Sequence, residues 1–521
     1  MGQSDEAARL VAEGYRAQQA GRIDHALHCY DEALRRQPES FEAAFLSGLI
    51  YLQSGRIGQA RNLLGKAAVA RPHEPDVLLN YGTAIALSGG LPDALAVFDR
   101  VLERNPQHPG ALLNRANVLV RLDRLNEALA ALNKARAADP TNPQIPNNRG
   151  NALSLLGRFE EALQGYADAL KLAPNYAEAL VNRGNTLLLL KRDADAIASY
   201  EAALRLRPDH ADAHYGLSFA LLRGGDLKRG FAEYEWRWRR LELANYRRDL
   251  GRPIWLGNAP IEGKTLFIHA EQGFGDTLHF ARYLRDVANK GARIALEVQP
   301  QLKPLFADWP VAALIGRGEA LPEFDLHCPL LSLPLALGVT HASGAEPYIR
   351  APAAQFAAWR ERLPQDRRLK VGVAWSGNRT FRNDRHRSMT LAAFAPILAT
   401  PGVTFATLNP DVAPAERDML SSLPQVLPLA SEFRDFADTA GVIANLDLVI
   451  STDTSVPHLA GALGKEVWVL LGFAPDWRWF LDRADCPWYP SARFYRQPAI
   501  GDWASVVEKI RGALAARATA I

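Results

Sequence analysis

The sequence predicts an α-solenoid followed by an α/β region built as two doubly wound parallel-sheet lobes with a cleft between them. Three observations carry that expectation. A 34-residue period runs through the first half, and short apolar runs alternate with helical stretches in the second. The third is the stretch 446–472, LDLVISTDTSVPHLAGALGKEVWVLLG, which reads as buried strand, polar turn, small-residue helix and second buried strand. In open parallel sheets ligands bind at the edge where such a turn sits, because a helix amino terminus offers unpaired N–H groups there. At 521 residues the chain exceeds one core, and roughly 150 residues per domain gives about three domains. They are expected at 1–245, 246–365 and 366–521.

Composition narrows the class. A hydrophobic fraction of 48% and a charged fraction of 22% are those of an ordinary globular protein. The net charge of +3 gives no bulk argument for a nucleic-acid or membrane surface. Three distant cysteines, Cys29, Cys328 and Cys486, form no metal-ligand spacing, so reduced thiols in a cytoplasmic protein are expected. No membrane insertion and no cofactor or metal are expected, since no long apolar run occurs and the second half carries no Asp-x-Asp motif.

The repeat is read from four columns in phase. The turn position is Gly21, Gly55, Gly89, Asp123, Gly157, Lys191 and Gly225, and a small-residue column follows as Ala26, Ala60, Ala94, Ala128, Ala162 and Ala196. A large residue recurs as Tyr30, Leu64, Phe98, Leu132, Tyr166, Tyr200 and Tyr234, and proline as Pro38, Pro72, Pro106, Pro140, Pro174 and Pro208. Small residues let two antiparallel helices approach, the large one fills the gap to the next repeat, and proline stops the second helix. This pattern resembles the tetratricopeptide repeat over about residues 5–240.

On the first helix of each pair asparagines recur at the same period. Asn80, Asn114, Asn148 and Asn182 form one column, and Asn117, Asn151 and Asn185 a second on the same helical face. Each amide offers a donor and an acceptor to an extended backbone whatever its sequence, so a polypeptide groove is one reading. Amides bonding neighbouring helices are the other. The ladder resembles that of the O-linked N-acetylglucosamine transferases, which implies a peptide-binding role.

After Pro208 the columns decay into a segment rich in tryptophan and arginine, where Trp236, Trp238 and Trp255 are expected to cap the last repeat. No RNA-binding motif accompanies it. Apolar runs then appear at 265–269, 294–298, 325–328, 370–375, 404–408, 446–450 and 467–471, with helices such as 278–289 and 391–399 between them. That alternation means parallel sheet covered on both faces.

The motifs of this half resemble the family 9 heptosyltransferases, whose fold, called GT-B, has two Rossmann-like lobes. The family turn and helix stand here as Asp453, Thr454 and Ser455, then His458, Leu459 and Ala460, with serine where the family has glycine. The segment HAEQGFGDTLHF is similar to the family's amino-terminal Gly-Asp segment, whose aspartate is the proposed base; Asp276 takes that place, and Gly273 and Gly275 allow the tight turn. Asp276 is equally suited to be a helix N-cap, and His269, Glu271 and His279 are held in reserve. The loop WSGNRTFRNDRHRSM carries Arg379, Arg382, Arg385 and Arg387, of which Arg385 and Arg387 are the preferred phosphate ligands. The expected donor-binding set is Gly273, Gly275, Ser376, Arg385, Arg387, Asn409, Asp453, Thr454, Ser455 and His458.

The whole resembles bacterial repeat–glycosyltransferase fusions, including those that modify flagellins. The resemblance implies a metal-independent transferase that moves a sugar from a nucleotide-sugar donor to Ser or Thr hydroxyls of a polypeptide held by the repeats, with Asp276 as base. A heptosyltransferase-like enzyme acting on a lipid-linked or saccharide acceptor, and a non-catalytic repeat adaptor, are the alternatives.

Overall fold

The computed structural model describes all residues except 1–2, 245–246, 344–345, 378–383, 385–386, 410–411 and 521. It divides into two compact units, Met1–Thr186 and Leu187–Ile521.

The first unit is a run of helix pairs. In order they are α1 (Gln3–Gln19), α2 (Ile23–Arg36), α3 (Phe41–Gln53), α4 (Ile57–Ala70), α5 (Pro75–Leu87) and α6 (Leu91–Arg104). Next come α7 (Pro109–Arg121), α8 (Leu125–Ala138), α9 (Gln144–Leu155), α10 (Phe159–Leu172) and α11 (Ala177–Leu189), the last of which runs across the boundary. The periodic columns explain the pairing. Ala26, Ala60, Ala94, Ala128 and Ala162 are fully buried, as are Leu64 and Leu132. A Cβ added to Gly48 would lie 2.8 Å from Leu64, one on Gly82 2.6 Å from Phe98, and one on Gly150 2.6 Å from Tyr166. The large column therefore fits because the facing helix position is a glycine.

The turn column has one backbone solution. Gly21, Gly55, Gly89, Asp123, Gly157, Lys191 and Gly225 all have positive φ, and the next N–H reaches back to a carbonyl five residues earlier, as in Arg56 N to Tyr51 O and Arg124 N to Leu119 O, both 2.9 Å. This is the Schellman ending, which glycine enters without steric penalty. Asp123 and Lys191 enter the same conformation at φ 59°.

In the second unit the repeat helices continue as α12 (Asp193–Leu206), α13 (Ala211–Gly224) and α14 (Leu227–Tyr234), followed by a 3-10 turn and the short α15 (Leu241–Ala244). Leu222, Phe231 and Tyr234 share one core with Trp255, Leu266 and Ile268. The three junction tryptophans separate. Trp255 is buried in that core, Trp236 stacks on His214 at 3.8 Å, and Trp238 lies under the Arg237 guanidinium at 4.4 Å.

Two parallel sheets follow. The first, β1 (Thr265–His269), β2 (Arg293–Val298), β3 (Ala313–Gly316) and β4 (Leu326–Pro329), has the order β3-β2-β1-β4. The second contains β5 (Leu369–Ala374), β6 (Val403–Thr407), β7 (Val426–Leu427), β8 (Leu448–Thr452), β9 (Val467–Leu471) and β10 (Ala492–Arg496), in the order β10-β9-β8-β5-β6-β7. Every pairing is parallel. In the second sheet Leu448, Ile450 and Leu470 join one core and Val449, Val467 and Val469 the other, as the two-residue period of a strand covered on both faces requires.

The helices of this region are α16 (Phe274–Phe280), α17 (Leu284–Asn289), α18 (Leu333–Ala336), α19 (Ala353–Arg362), α20 (Leu391–Leu398), α21 (Pro414–Ser421), α22 (Phe436–Ala444), α23 (Ser455–Ala462) and α24 (Trp503–Ala518). Strands β3, β7 and β10 have no counterpart among the apolar runs. Strand β8 extends to Thr452, two residues beyond the apolar run 446–450, so the polar turn before α23 is Asp453 and Thr454. Among the described residues no helix is long and apolar enough to cross a membrane.

Candidate functional site

The site is assembled at the carboxyl edges of both sheets. Strand β1 leads into α16 and β8 into α23, and the two helix starts touch: a Cβ added to Gly275 would lie 3.0 Å from His458 Cδ2 and 3.5 Å from Ser455 Cα. Gly275 therefore has its value as a close-approach residue between sheets, beyond its place in the turn.

Asp276 occupies the third position of α16, which corrects the N-cap expectation. The N-cap is Gly273, with no side chain to offer, and Asp276 Oδ2 accepts from the Gly273 N–H at 3.1 Å. Its other oxygen, Oδ1, accepts from Arg478 Nη2 at 2.7 Å, and Arg478 Nη1 also donates to Asp476 Oδ1 at 2.8 Å. Arg478 is nearly buried, while Asp276 and Asp476 keep 22% and 27% of their side chains open. Burial raises the Asp276 pKa, against Arg478, which lowers it. Burial opposes the Arg478 charge, yet Asp476 and Asp276 outweigh it and the guanidinium stays protonated.

Asp453 follows β8. Protein surrounds it while part of its surface stays open, and its carboxyl is pushed up to about 6, first by burial and then by Asp476. Arg387, the Trp479 indole and Arg478 pull in the other direction. Three carboxylates and two arginines thus act on one another where the carboxyl edges of the two sheets meet.

The neighbouring polar groups mostly hold this arrangement. Thr454 Oγ1 caps α23 by accepting from Val456 N at 3.2 Å. Ser455 is the first residue of α23 and is absent from the positive-φ set, so the serine sits in ordinary backbone and needs no glycine freedom. His458 Nδ1 lies 3.1 Å from Tyr489 Oη, its ring stacks on Trp479 at 4.9 Å, and burial drives its pKa well down. His279 Nδ1 shares the same Tyr489 hydroxyl at 3.1 Å.

Asn409 spends its amide on the loop after β5, accepting from Trp375 N at 2.9 Å and donating to Ser376 O at 2.6 Å. Within that loop Gly377 N donates to Ser388 Oγ at 2.9 Å, and the Arg387 guanidinium and Thr454 methyl lie beside Gly377. Arg379, Arg382 and Arg385 lie outside the described residues. Of the reserve groups, Glu271 pairs with buried Arg237 at 3.0 Å and is pushed up to about 7 by burial. His269 is driven down to about 3, chiefly by burial and then by His327.

Asp476, Arg478 and Trp479 lie beyond Gly472, where the sequence motif ends, and are not among the residues the sequence singles out. Their segment directly follows β9, whose end lies on the same edge, and that adjacency was the available signal. The segment is held under constraint. Phe480 adopts φ 54°, ψ −173°, a region otherwise left to glycine, while Arg496 donates to the carbonyls of Trp479 (2.6 Å) and Phe480 (3.2 Å).

On the repeat helices the asparagines join end to end. Asn182 Nδ2 donates to Asn147 Oδ1 (3.0 Å), Asn147 to Asn148 (2.9 Å), and Asn148 to Asn117 (2.8 Å), linking α11, α9 and α7. Asn114 donates to Thr83 at 3.4 Å, Asn80 to the Asp76 carbonyl at 2.7 Å, and Asn151 accepts from Tyr166 at 2.9 Å. Asn117 and Asn185 are exposed. The ladder therefore braces the stack, and Asn147, outside both columns, is its central link.

A tetratricopeptide repeat family profile matches residues 11–86, 88–143 and 194–236, a TPR repeat profile matches 150–191, and a further tetratricopeptide repeat profile matches 177–210. The helix pairs are tetratricopeptide repeats. Protein FlbA of Caulobacter vibrioides is 27% identical over 289 residues, covering 50% of this chain and 48% of its own, so the chain spans about half the length of that curated relative. Among solved structures, a tetratricopeptide repeat protein from Parabacteroides merdae is 16% identical, with 44% of this chain and 91% of that one covered and a TM-score of 0.41. A thermophilic TPR protein of Thermus thermophilus is 25% identical, with 35% and 99% covered and a TM-score of 0.30.

Proposed function

We propose that this tetratricopeptide-repeat chain is a protein glycosyltransferase whose second half is of the two-lobed GT-B type. The observation that supports this best is the meeting of α16 and α23 at the carboxyl edges of two parallel sheets, which gathers Asp276, Asp453 and Asp476 around Arg478 with Arg387 nearby. In this reading Asp453 accepts hydroxyls of the donor sugar. Arg387 and the N–H groups at the start of α23 meet the negative charge that develops on the nucleotide phosphate. Asp276 takes the proton of an acceptor Ser or Thr hydroxyl as it attacks the anomeric carbon; its raised pKa makes it a stronger base than a solvated carboxylate, and Arg478 keeps it ionised and oriented. The polypeptide acceptor is held on the repeats by the amide capacity that the asparagine chain leaves unused at exposed Asn117 and along Asn114 and Asn148.

Titration calorimetry with ADP-, UDP-, GDP- and CMP-linked sugars tests the donor half. Binding of one nucleotide class, weakened at least tenfold by Arg387→Ala, is the expected result. Mass spectrometry of a co-expressed candidate acceptor protein then reads transfer, which Asp276→Asn abolishes while donor binding remains. Turnover of a lipid-linked acceptor with no sugar on any polypeptide would replace the acceptor class. A second reading, a non-catalytic adaptor, is favoured by one observation: both Asp276 oxygens are already engaged, by Gly273 N–H and Arg478. Failure of every nucleotide sugar to bind would establish it in place of the first.

A further inference from the structure

At the amino-terminal end of the array, Glu13 on α1 faces His25 and Cys29 on α2. His25 and Cys29 are four residues apart, so they project from one helical face. Glu13 Oε1 lies 3.2 Å from His25 Nε2, Cys29 Sγ lies 3.8 Å from the same nitrogen, and all three donor atoms fall within 4.8 Å of one another. Among the described residues this is the one group of three or more such side chains that meets that condition. With Zn–N and Zn–O near 2.1 Å and Zn–S near 2.3 Å, a tetrahedral ion separates N from O by about 3.4 Å and N from S by about 3.6 Å. The observed N–O and N–S spacings, 3.2 and 3.8 Å, each lie close to those values.

Without an ion the cluster is frustrated. Both the carboxylate and the sulfur converge on one imidazole nitrogen, which carries at most one proton and serves one of them. Cys29 is buried, with 2% of its surface exposed, whereas the side chains of His25 and Glu13 are 43% and 44% exposed, so an ion can enter from solvent and meet the thiol at the bottom. We propose that Glu13, His25 and Cys29 bind a divalent transition-metal ion, Zn(II) being the type that suits one thiolate, one imidazole and one carboxylate, and that the ion staples α1 to α2. On binding, the Cys29 S–H bond breaks, its proton leaves to solvent, and the sulfur electron pair forms the metal bond. Thiolate and carboxylate then neutralise the 2+ charge, with neutral imidazole as third ligand and water completing the shell. No oxidant or reductant is involved. The site is separate from the candidate transferase centre, and its role is structural.

The test uses the full chain, stripped of metal by a chelator and kept reduced. Co(II) added alone serves as the optical probe. One equivalent is expected to give a sulfur-to-cobalt charge-transfer band in the near ultraviolet and the strong visible bands of a tetrahedral ion, both bleached by Zn(II). His25→Ala, at an exposed position that leaves the fold intact, and Glu13→Gln are each expected to weaken Zn(II) binding at least tenfold, and Cys29→Ser to remove the charge-transfer band. Zn(II) should also raise the thermal midpoint seen by far-ultraviolet circular dichroism in the parent chain and leave that of His25→Ala unchanged. Absence of the band overturns the proposal, as does a band that survives Cys29→Ser and so belongs to Cys328 or Cys486. If Cys29→Ser does not fold, unaltered Co(II) spectra and Zn(II) affinity in both His25→Ala and Glu13→Gln overturn it equally.

Discussion

Asp453→Asn is expected to stabilise the second unit, by an amount that grows with pH. The Asp453 carboxyl titrates at about 6 in the folded chain against 3.8 ordinarily, through burial first and Asp476 second. The native state therefore holds a proton that the unfolded chain has released between those two values. Stability falls as pH rises through that window, and above about pH 6 the full ionisation penalty is present, about 3 kcal/mol at most. Asparagine resembles the protonated acid, so the variant gains roughly half of that near pH 5, about 3 kcal/mol at pH 8, and almost nothing below the ordinary carboxylate range. Urea unfolding read by tryptophan fluorescence is the assay, because all 11 tryptophans lie from Trp236 to Trp503 and report the second unit alone. A loss of stability at pH 8, or a difference that does not change with pH, would refute the reasoning.

Gly82→Ala puts a methyl 2.6 Å from the Phe98 ring, and repacking should lower the stability of the repeat unit by about 1–3 kcal/mol, read by circular dichroism. Asp123→Gly relieves a side chain at φ 59° and should raise the thermal midpoint, by about 1 kcal/mol of stability. An unchanged midpoint would mean that the aspartate is satisfied in that turn. Arg478→Ala leaves Asp276 and Asp476 facing one another without their shared cation, and a loss of about 3–5 kcal/mol in urea unfolding is expected; a loss below about 1 kcal/mol would show that the pair is solvated instead.

The repeat half was legible in detail because its contacts are local. Each helix meets neighbours within about one period, so a column in the sequence is a layer in the structure, down to the positive φ of Asp123 and Lys191 in the glycine column. The amide chain was legible in its columns, while its central link, Asn147, came from helix-to-helix distances that no period encodes.

In the second half, strands buried on both faces announced themselves as apolar runs, β1 and β9 within their bounds. Two-residue β7 and the part-exposed edge strand β10, ARFYR, carry no such signal. Asp276 and Asp453 could be picked out because each follows a strand at the ligand-binding edge. Their common partner could not, since Arg478 stands 202 residues beyond Asp276 and reaches it only when the two sheets turn their carboxyl edges together. Sequence by itself determined the repeat register, the parallel sheets and the strand ends where charge is placed. Tertiary structure alone decided which of those charges meet, and hence which carboxyls are buried, paired or pushed up, because burial and Coulomb interaction depend on distances between segments that sequence spacing leaves free.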